Sequence, residues 1–259
     1  MRSSEWVSFV YFAALTAIAW LRPLPSARRV QITAIGLLSS VAVATGARLA
    51  APVVRDWMPL LVILAGYFLS GRFFLKPSPS FEAWLIEWDR RLLGDPATRF
   101  AHWPRALLAY LEIVYMGCFV LVPAGFAALA WTGRGALPDS YWTLVTAAEF
   151  GSFASLAIVQ ARPPWMVERK AVLSDRSVHR AASLMVEHLT IRANTFPSGH
   201  VAGSLAVALA VVRELPGFGL VLLFLAGSIA AACIVGRYHY VVDVVAGGLL
   251  TLAIWSVVT

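Results

Sequence analysis

Long apolar segments, each close to 20 residues, recur along the chain and constrain its fold more than any other feature. About eight of them lie between Trp6 and Val258. A helix needs about 20 mostly apolar residues to cross a membrane, and only helices or closed β-barrels satisfy their backbone polar groups there. The segments lack the period-2 alternation of barrel strands. The sequence therefore predicts an all-α, polytopic bundle of membrane helices.

Composition supports this prediction. Hydrophobic residues make up 59% of the 259 residues and charged residues only 14%, against about 45–50% and about 25% in soluble domains. These values exclude a soluble enzyme, a disordered chain and a disulfide-stapled secreted domain. With boundaries good to several residues, the predicted spans are Trp6–Leu21, Val30–Leu49, Trp57–Phe74, Arg105–Trp131, Ser140–Val159, Ser198–Val212, Phe218–Val235 and Tyr240–Val258.

The net charge of +7 would suggest a nucleic-acid partner in a soluble protein. Here the arginines lie mostly between apolar segments, so we expect membrane lipid headgroups or phosphate as partners and no nucleic acid. Cys118 and Cys233 lie inside apolar segments and show no metal-ligand spacing. We expect no metal and no cofactor, and the sequence does not define an oligomeric state.

Two connections are longer than the others, and each contains the spacing of an amphipathic helix. In the first, the apolar positions are Phe81, Trp84, Leu85, Trp88 and Leu92. They indicate either a helix on the membrane surface or one packed on other loops. In the second, from Arg162 to Pro197, the positions are Val178, Ala181, Ala182, Met185 and Leu189. They predict a second surface helix.

Three polar motifs interrupt the second half of the chain. They are Arg162-Pro163-Pro164, Pro197-Ser198-Gly199-His200, and Arg237-Tyr238-His239 with Asp243. The predicted spans cross an even number of times between one motif and the next. All three motifs should therefore lie on one membrane face at a similar depth.

The residue types in these motifs suit phosphoryl transfer. His239 and Asp243 are spaced i, i+4, so a carboxylate can fix the tautomer of the imidazole and leave its other nitrogen as a nucleophile. Pro197 suits the first position of a helix, so Ser198 and Gly199 should lie at the helix start, where free N–H groups bind anions. His200 would then lie beside the bound anion and act as an acid and a base.

Arg162 and Arg237 are permanent cations suited to phosphate oxygens, although an arginine at the end of a span commonly snorkels to the headgroups instead. Two arginines and two histidines on one face predict a phosphohistidine mechanism. In it His239 attacks phosphorus, Asp243 orients His239, and the arginines and helix amides hold the oxygens.

The motifs resemble those of the type 2 phosphatidic acid phosphatase superfamily of membrane lipid phosphatases. The family pattern of Arg-Pro, Pro-Ser-Gly-His, and His followed after three residues by Asp occurs at Arg162, Pro197 to His200, and His239 with Asp243. The resemblance implies a six-span core. We therefore expect a two-span extension at residues 1–53 and a catalytic domain at residues 54–259.

Two departures from the family pattern affect the expected substrate. The family lysine would fall at Ser155, and the family Ser-Arg would fall at Ala232-Cys233. Arg169 or Lys170 could replace the lysine, and Arg237, one helical turn after Cys233, could replace the arginine. With these departures, the sequence also resembles a branch of the family that is similar to fungal inositol phosphorylceramide synthase. That enzyme moves a headgroup between lipids.

Three functions therefore stay open at this point. The first is a lipid phosphate phosphatase acting on a phosphomonoester or diphosphate, and the second is a lipid headgroup phosphotransferase. The third is a non-catalytic transporter or scaffold with a degenerate site.

Glu112 and Glu149 are further candidate site residues, since carboxyl groups inside membrane spans are commonly functional. We expect a bacterial inner-membrane protein whose site faces the periplasm, because the resemblance implies that side. The arginine-rich loops on the site's side would instead indicate the cytoplasm by the positive-inside rule.

Overall fold

The computed structural model describes residues 1–132, 137–168, 184 and 190–258. This part of the chain is helical apart from turns, loops and one isolated bridge between Ala161 and Asn194. A short 3-10 helix covers Ser155–Ala157. The α-helices are α1 (Ser3–Leu21), α2 (Ser26–Leu49), α3 (Pro52–Gly71), α4 (Pro79–Leu93), α5 (Pro96–Ala101), α6 (Arg105–Trp131), α7 (Leu137–Ala154), α8 (Pro164–Val167), α9 (Gly199–Glu214), α10 (Pro216–Val235) and α11 (Val241–Val258).

The all-α polytopic bundle is confirmed, and each of the eight predicted spans contains a long helix. Within the described ranges, six helices are long and apolar enough to cross a membrane: α1, α2, α3, α6, α10 and α11. The other two predicted spans fall short of that standard. Helix α9 has only 16 residues, a rise of about 24 Å, and α7 contains Asp139 and Glu149.

Helix α9 lies at the centre of the bundle, which explains why it can be short and rich in small residues. It packs against α6, α7, α10 and α11. Ala202, Ala206, Val207, Ala208 and Val211 are fully buried along it. Such small side chains let neighbouring helices approach closely, and close packing is what associates helices in a membrane. The environment of α9 is therefore protein rather than lipid.

The first two helices form a layer on the side of α7 away from this centre. Helices α1 and α2 pack against each other, α1 packs on α7, and α2 packs on α3. Polar contacts secure the end opposite the motifs: Arg55 donates to both carboxylate oxygens of Glu5, and Asp139 accepts from the backbone N–H of Ser4. The division at residues 53 and 54 stays a prediction.

The amphipathic helix predicted in the first long connection is confirmed as α4. Its Leu85 is fully buried and packs with Ala161 and Tyr240, close to two of the motifs. Trp84 and Trp88 remain exposed. The helix thus packs on the motif loops with one face and presents tryptophans outward, which combines both of the alternatives that its sequence left open. The second predicted surface helix lies outside the described residues except for Leu184.

Candidate active site

The helix starts that carry the second and third motifs meet through Asp243. The backbone N–H of Ser198 donates to the carbonyl oxygen of Asp243 at 3.0 Å. The side chain of Asn194 donates to Oδ2 of the same residue at 2.9 Å, and so does the backbone N–H of Tyr240. Asp243 is completely buried. These contacts confirm the prediction that the two motifs lie at one end of the bundle.

His239 lies between Asp243 and His200. Its Nδ1 is 3.3 Å from Oδ2 of Asp243, and its Nε2 is 3.3 Å from Nδ1 of His200. A carboxylate only accepts hydrogen bonds, so the proton of His239 belongs on Nδ1 and the lone pair on Nε2. Nδ1–H of His200 then donates to that lone pair. The lone pair on Nε2 of His239 therefore faces His200.

Aromatic rings fix the orientation of His200. The ring of Tyr115 stacks on His200 at 5.0 Å and on Tyr238 at 3.8 Å, and Phe119 meets His200 edge-on. The Nε2 atom of His200 has no hydrogen-bond partner among the described residues. The imidazole is therefore held by packing, and one of its nitrogens contacts His239.

The start of α9 differs in detail from the sequence prediction. Pro197 does not begin the helix; Ser198 is the N-cap, and its hydroxyl accepts from the N–H of Val201 at 3.4 Å. Serine is a preferred N-cap because its oxygen satisfies a free amide of the first turn. The N–H of Gly199 donates to Oγ1 of Thr195 at 3.3 Å. Ser198 is thus engaged in the helix start, and Gly199 borders the cavity described next.

A cavity of about 450 Å³ opens beside the two histidines. Gly199, His200 and His239 line one end of it, and Leu60 and Val122 line the other. Val122 lies seven residues beyond Tyr115 on α6, so the cavity extends about 10 Å along that helix. Its walls are mostly apolar side chains from α3, α6 and α7. The cavity is thus an apolar space that has two imidazoles and one arginine on its lining.

Arg162 lies near the site but is paired with a carboxylate. Its guanidinium donates to both oxygens of Glu82 on α4, at 3.1 and 2.6 Å, and its backbone N–H donates to the same group. These hydrogen bonds from Arg162 lower the pKa of Glu82. The carbonyl oxygen of Arg162 accepts from the hydroxyl of Tyr240 at 3.2 Å. Arg162 is absent from the cavity lining.

Arg237 points away from the cavity. Helix α10 ends at Val235, and Arg237 adopts φ +59°, so it does not continue the helical face of Cys233 as the sequence argument supposed. Its buried guanidinium donates to Asp89 at 2.7 Å and to Glu168 at 2.9 Å. Both predicted phosphate-binding arginines thus pair with acidic side chains outside the cavity.

Arg192 is a site residue that sequence reasoning missed. It lies in the loop before α9 and is the one Lys or Arg that lines the cavity in the described ranges. Its φ of +54° is in the left-handed region, which is costly for a residue with a Cβ and is found preferentially at functional sites. No family motif contains this position. Only its place shortly before Pro197-Ser198-Gly199-His200 could have suggested it.

Of the two acidic residues predicted inside spans, Glu149 lines the cavity and Glu112 does not. Ser155, where the family lysine is absent, donates its hydroxyl to the carbonyl of Ser152 within the end of α7. Arg169 and Lys170, the substitutes considered for that lysine, lie outside the described residues.

A comparison with known protein families identifies the family of this chain. A model described as the PAP2 superfamily matches residues 83–257, from α4 to the end of α11. The chain belongs to the PAP2 superfamily. Its membrane helices and this membership together make it a phosphatase-type integral membrane protein.

A PA-phosphatase related-family protein of Dictyostelium discoideum is 43% identical to this PAP2 member over 58 residues. That stretch is 22% of this chain and only 10% of the Dictyostelium protein, so the chain matches a small part of that relative. No solved structure matches the chain.

Proposed function

We propose that this PAP2 member is an integral membrane lipid phosphate phosphatase that works through a phosphohistidine intermediate. One observation carries the proposal: Nε2 of His239, with its tautomer set by Asp243, borders an apolar cavity beside a second imidazole. The cavity suits the hydrocarbon part of a lipid, and the histidines suit its phosphate. Membrane lipids are then both the surroundings and the source of substrate, with no role for nucleic acid.

The reaction proceeds in two steps. Nε2 of His239 attacks phosphorus and the P–O bond to the lipid breaks. His200, which enters this step as an imidazolium with a proton on each nitrogen, gives one proton to the departing alkoxide and becomes neutral. Because His200 contacts Nε2 of His239 at 3.3 Å, the incoming phosphorus displaces it toward the leaving oxygen. Water then attacks phosphorus, His200 takes its proton, and the P–N bond breaks to release inorganic phosphate.

Arg192 is the proposed holder of the phosphate oxygens, because the N–H groups of Gly199 and Val201 at the start of α9 already donate to Thr195 and Ser198. A planar guanidinium can stabilise the equatorial oxygens, where charge accumulates in the transition state. We propose that this reaction needs no metal ion, since the arginine supplies the positive charge. Arg162 and Arg237, predicted for this role, are proposed instead to fasten the motif loops to α4.

The test is phosphate release from lipid phosphates by the detergent-solubilised full chain in EDTA. His239→Ala should lower the rate by about 10³-fold or more, since it removes the nucleophile. His102→Ala, at an exposed histidine outside the cavity, is the matched control and should keep the wild-type rate. Rapid quenching with a radiolabelled substrate should trap an acid-labile phosphohistidine in the wild type. Turnover by His239→Ala would overturn the mechanism.

Product analysis separates the other functions. With a labelled lipid phosphate and an added lipid alcohol, a phosphatase yields inorganic phosphate, whereas a headgroup transferase yields a new phosphodiester. A transporter or scaffold yields neither, and no phosphohistidine forms. Hydrolysis without transfer is the expected result.

We further propose a bacterial inner membrane as the location, with the histidines facing the periplasm. The family resemblance supports this side. The predicted spans assign most of the 21 Lys and Arg residues to loops at the histidine end, which the positive-inside rule would place in the cytoplasm. That rule is a weaker guide here because several of these arginines pair with carboxylates or border the cavity.

A further inference from the structure

One carboxyl group in the cavity has no part in the mechanism above. Glu149 of α7 lies against the first turns of α9, where its Oε2 would be 3.3 Å from a methyl group placed at Gly199. A methyl group at Gly203 would overlap Oε1. The two glycines, one turn apart, thus leave the space that the carboxyl group fills. The carboxyl group therefore lies against the first turn of α9, the turn that contains His200.

Glu149 is unpartnered within the part of the chain that the structure describes. No described residue donates a hydrogen bond to its carboxyl group or forms an ion pair with it, although the side chain is only partly exposed, toward the cavity. Neighbouring cavity walls are aromatic and aliphatic, with Phe153 and Leu64 among them. A buried polar group without a partner is costly, and native proteins usually satisfy such groups. The carboxyl group is therefore available to hydrogen-bond a molecule that enters the cavity.

The position of Glu149 limits which atoms of a substrate can reach it. A lipid whose phosphorus contacts His239 places the atoms next to its phosphate ester near Gly199, within the cavity that Glu149 also lines. In either protonation state a carboxyl group keeps an oxygen that accepts hydrogen bonds. A hydroxyl or amide N–H close to the phosphate ester satisfies it, whereas an ether or a prenyl chain does not.

We propose that Glu149 selects lipid phosphates that carry a hydroxyl or amide N–H within a few bonds of the phosphate ester. This inference rests on the proposed phosphatase function, of which it specifies the substrate class. A site built to pair with a hydrogen-bond donor discriminates strongly against an analogue that lacks it, because the polar group of the protein is then left unpaired.

The test uses two substrates that differ in a single group: a 1-acyl-glycerol 3-phosphate with a free 2-hydroxyl, and its 2-O-methyl ether. Wild type should favour the hydroxyl compound by about tenfold to hundredfold in kcat/KM. Glu149→Gln keeps an acceptor oxygen and should retain most of this preference. Glu149→Leu should abolish it by slowing only the hydroxyl compound. Ser152→Ala, in the same helix but outside the cavity, should leave it unchanged.

A binding measurement distinguishes failure of this inference from failure of the phosphatase proposal. In a His239→Ala background, titration calorimetry with the same two lipids should show the same preference in Kd, and Glu149→Leu should remove it. If neither lipid is hydrolysed but this preference is present, the selection stands and the phosphatase proposal falls. Equal handling of both lipids by wild type, or a preference that survives Glu149→Leu, would overturn the inference.

Discussion

Asp243 connects more of the site than any other residue. Its Oδ2 contacts the imidazole of His239 and accepts from Asn194 and from the backbone of Tyr240, while its carbonyl oxygen fixes the start of α9 through Ser198. One residue thus holds the loop before α9, the cap of that helix and the proposed nucleophile. The i, i+4 spacing of His239 and Asp243 in the sequence was sufficient to predict the central contact.

Replacing Asp243 with asparagine should separate orientation from packing. The new amide keeps the size of the carboxylate but carries no charge and has an NH2 group in place of one oxygen. When that NH2 group faces Nδ1 of His239, it donates to the imidazole instead of accepting from it. We expect kcat for phosphate release to fall about 10³- to 10⁴-fold, as the imidazole takes the wrong tautomer.

Steady-state kinetics and thermal unfolding in detergent check this expectation together. Asp56→Asn, at the opposite end of the bundle in the pair with Arg2, is the control and should be close to wild type in both. An Asp243→Asn rate within tenfold of wild type, with folding intact, would show that the carboxylate does not orient His239.

The arginines show where residue-level reasoning from the sequence fails. The carboxylate partners of Arg237 are 148 and 69 residues away in the chain. Local residue spacing in the sequence therefore cannot predict these ion pairs. The helical-turn argument for Arg237 is wrong because Gly236 ends α10 and the following backbone turns left-handed. The cavity position of Arg192 depends on the same kind of loop geometry.

At the scale of elements, α4 connects the loops of the first and third motifs. It supplies Glu82 to Arg162 and Asp89 to Arg237, and Oδ1 of Asp89 also accepts from the first N–H of α11 at 2.8 Å. Removing one partner of a buried ion pair leaves an uncompensated charge. Because of this cost, the ion pairs of Glu82 and Asp89 should keep α4 bound to the loops that contain Arg162 and Arg237, next to the histidines.

The Glu82–Arg162 pair should make the docking of α4 depend on pH. Because the folded pKa of Glu82 is lowered, chiefly by hydrogen bonds from Arg162, its contribution is complete above the ordinary carboxyl pKa of about 4.3. It is lost as the pH falls through the lowered value. Hydrogen-exchange protection of α4, corrected for intrinsic rates, should therefore decline below about pH 4 in the wild type.

Two variants isolate this effect from other titrations in α4. Glu82→Gln should give weaker protection at neutral pH and lose the part of the decline that Glu82 causes. Burial raises the pKa of Asp89, but that change is common to both proteins and cancels in the comparison. Glu87→Gln removes an exposed i, i+4 pair with Arg91 in the same helix and should follow the wild type. Identical profiles for Glu82→Gln and wild type would contradict the prediction.

Apolar segments and amphipathic spacing were enough to predict the long helices and α4. They did not predict that α9 is short and central, because helix burial in a membrane depends on which neighbours pack around it rather than on its own apolar run. Phe12 of α1 and Trp142 of α7 are fully buried, yet their segments look like ordinary spans. Periodicity thus locates elements and leaves their partners to the tertiary structure.

At the scale of the whole molecule, the two ends of the bundle are chemically distinct. One end gathers the histidines, α4 and the loop before α9. The other contains the Glu5–Arg55 pair, Asp139 and the turn between α9 and α10. Both cysteines of the chain, Cys118 and Cys233, are buried. Because Cys118 also lines the cavity, the labelling is done in a Cys118→Ala background, where an engineered surface cysteine at either end should react alone with a membrane-impermeant maleimide.

Ser80→Cys and Gly217→Cys form the pair that determines the orientation. Ser80 is exposed at the start of α4 at the histidine end, and Gly217 is exposed at the opposite end, where an added side chain would meet open space. If the histidines face the periplasm, intact cells with a permeable outer membrane should label Ser80→Cys and spare Gly217→Cys. Breaking the cells should make both react. The reverse pattern in intact cells would place the histidines in the cytoplasm, where the arginine-rich loops alone would put them, and phosphate from the proposed reaction would then be released inside the cell.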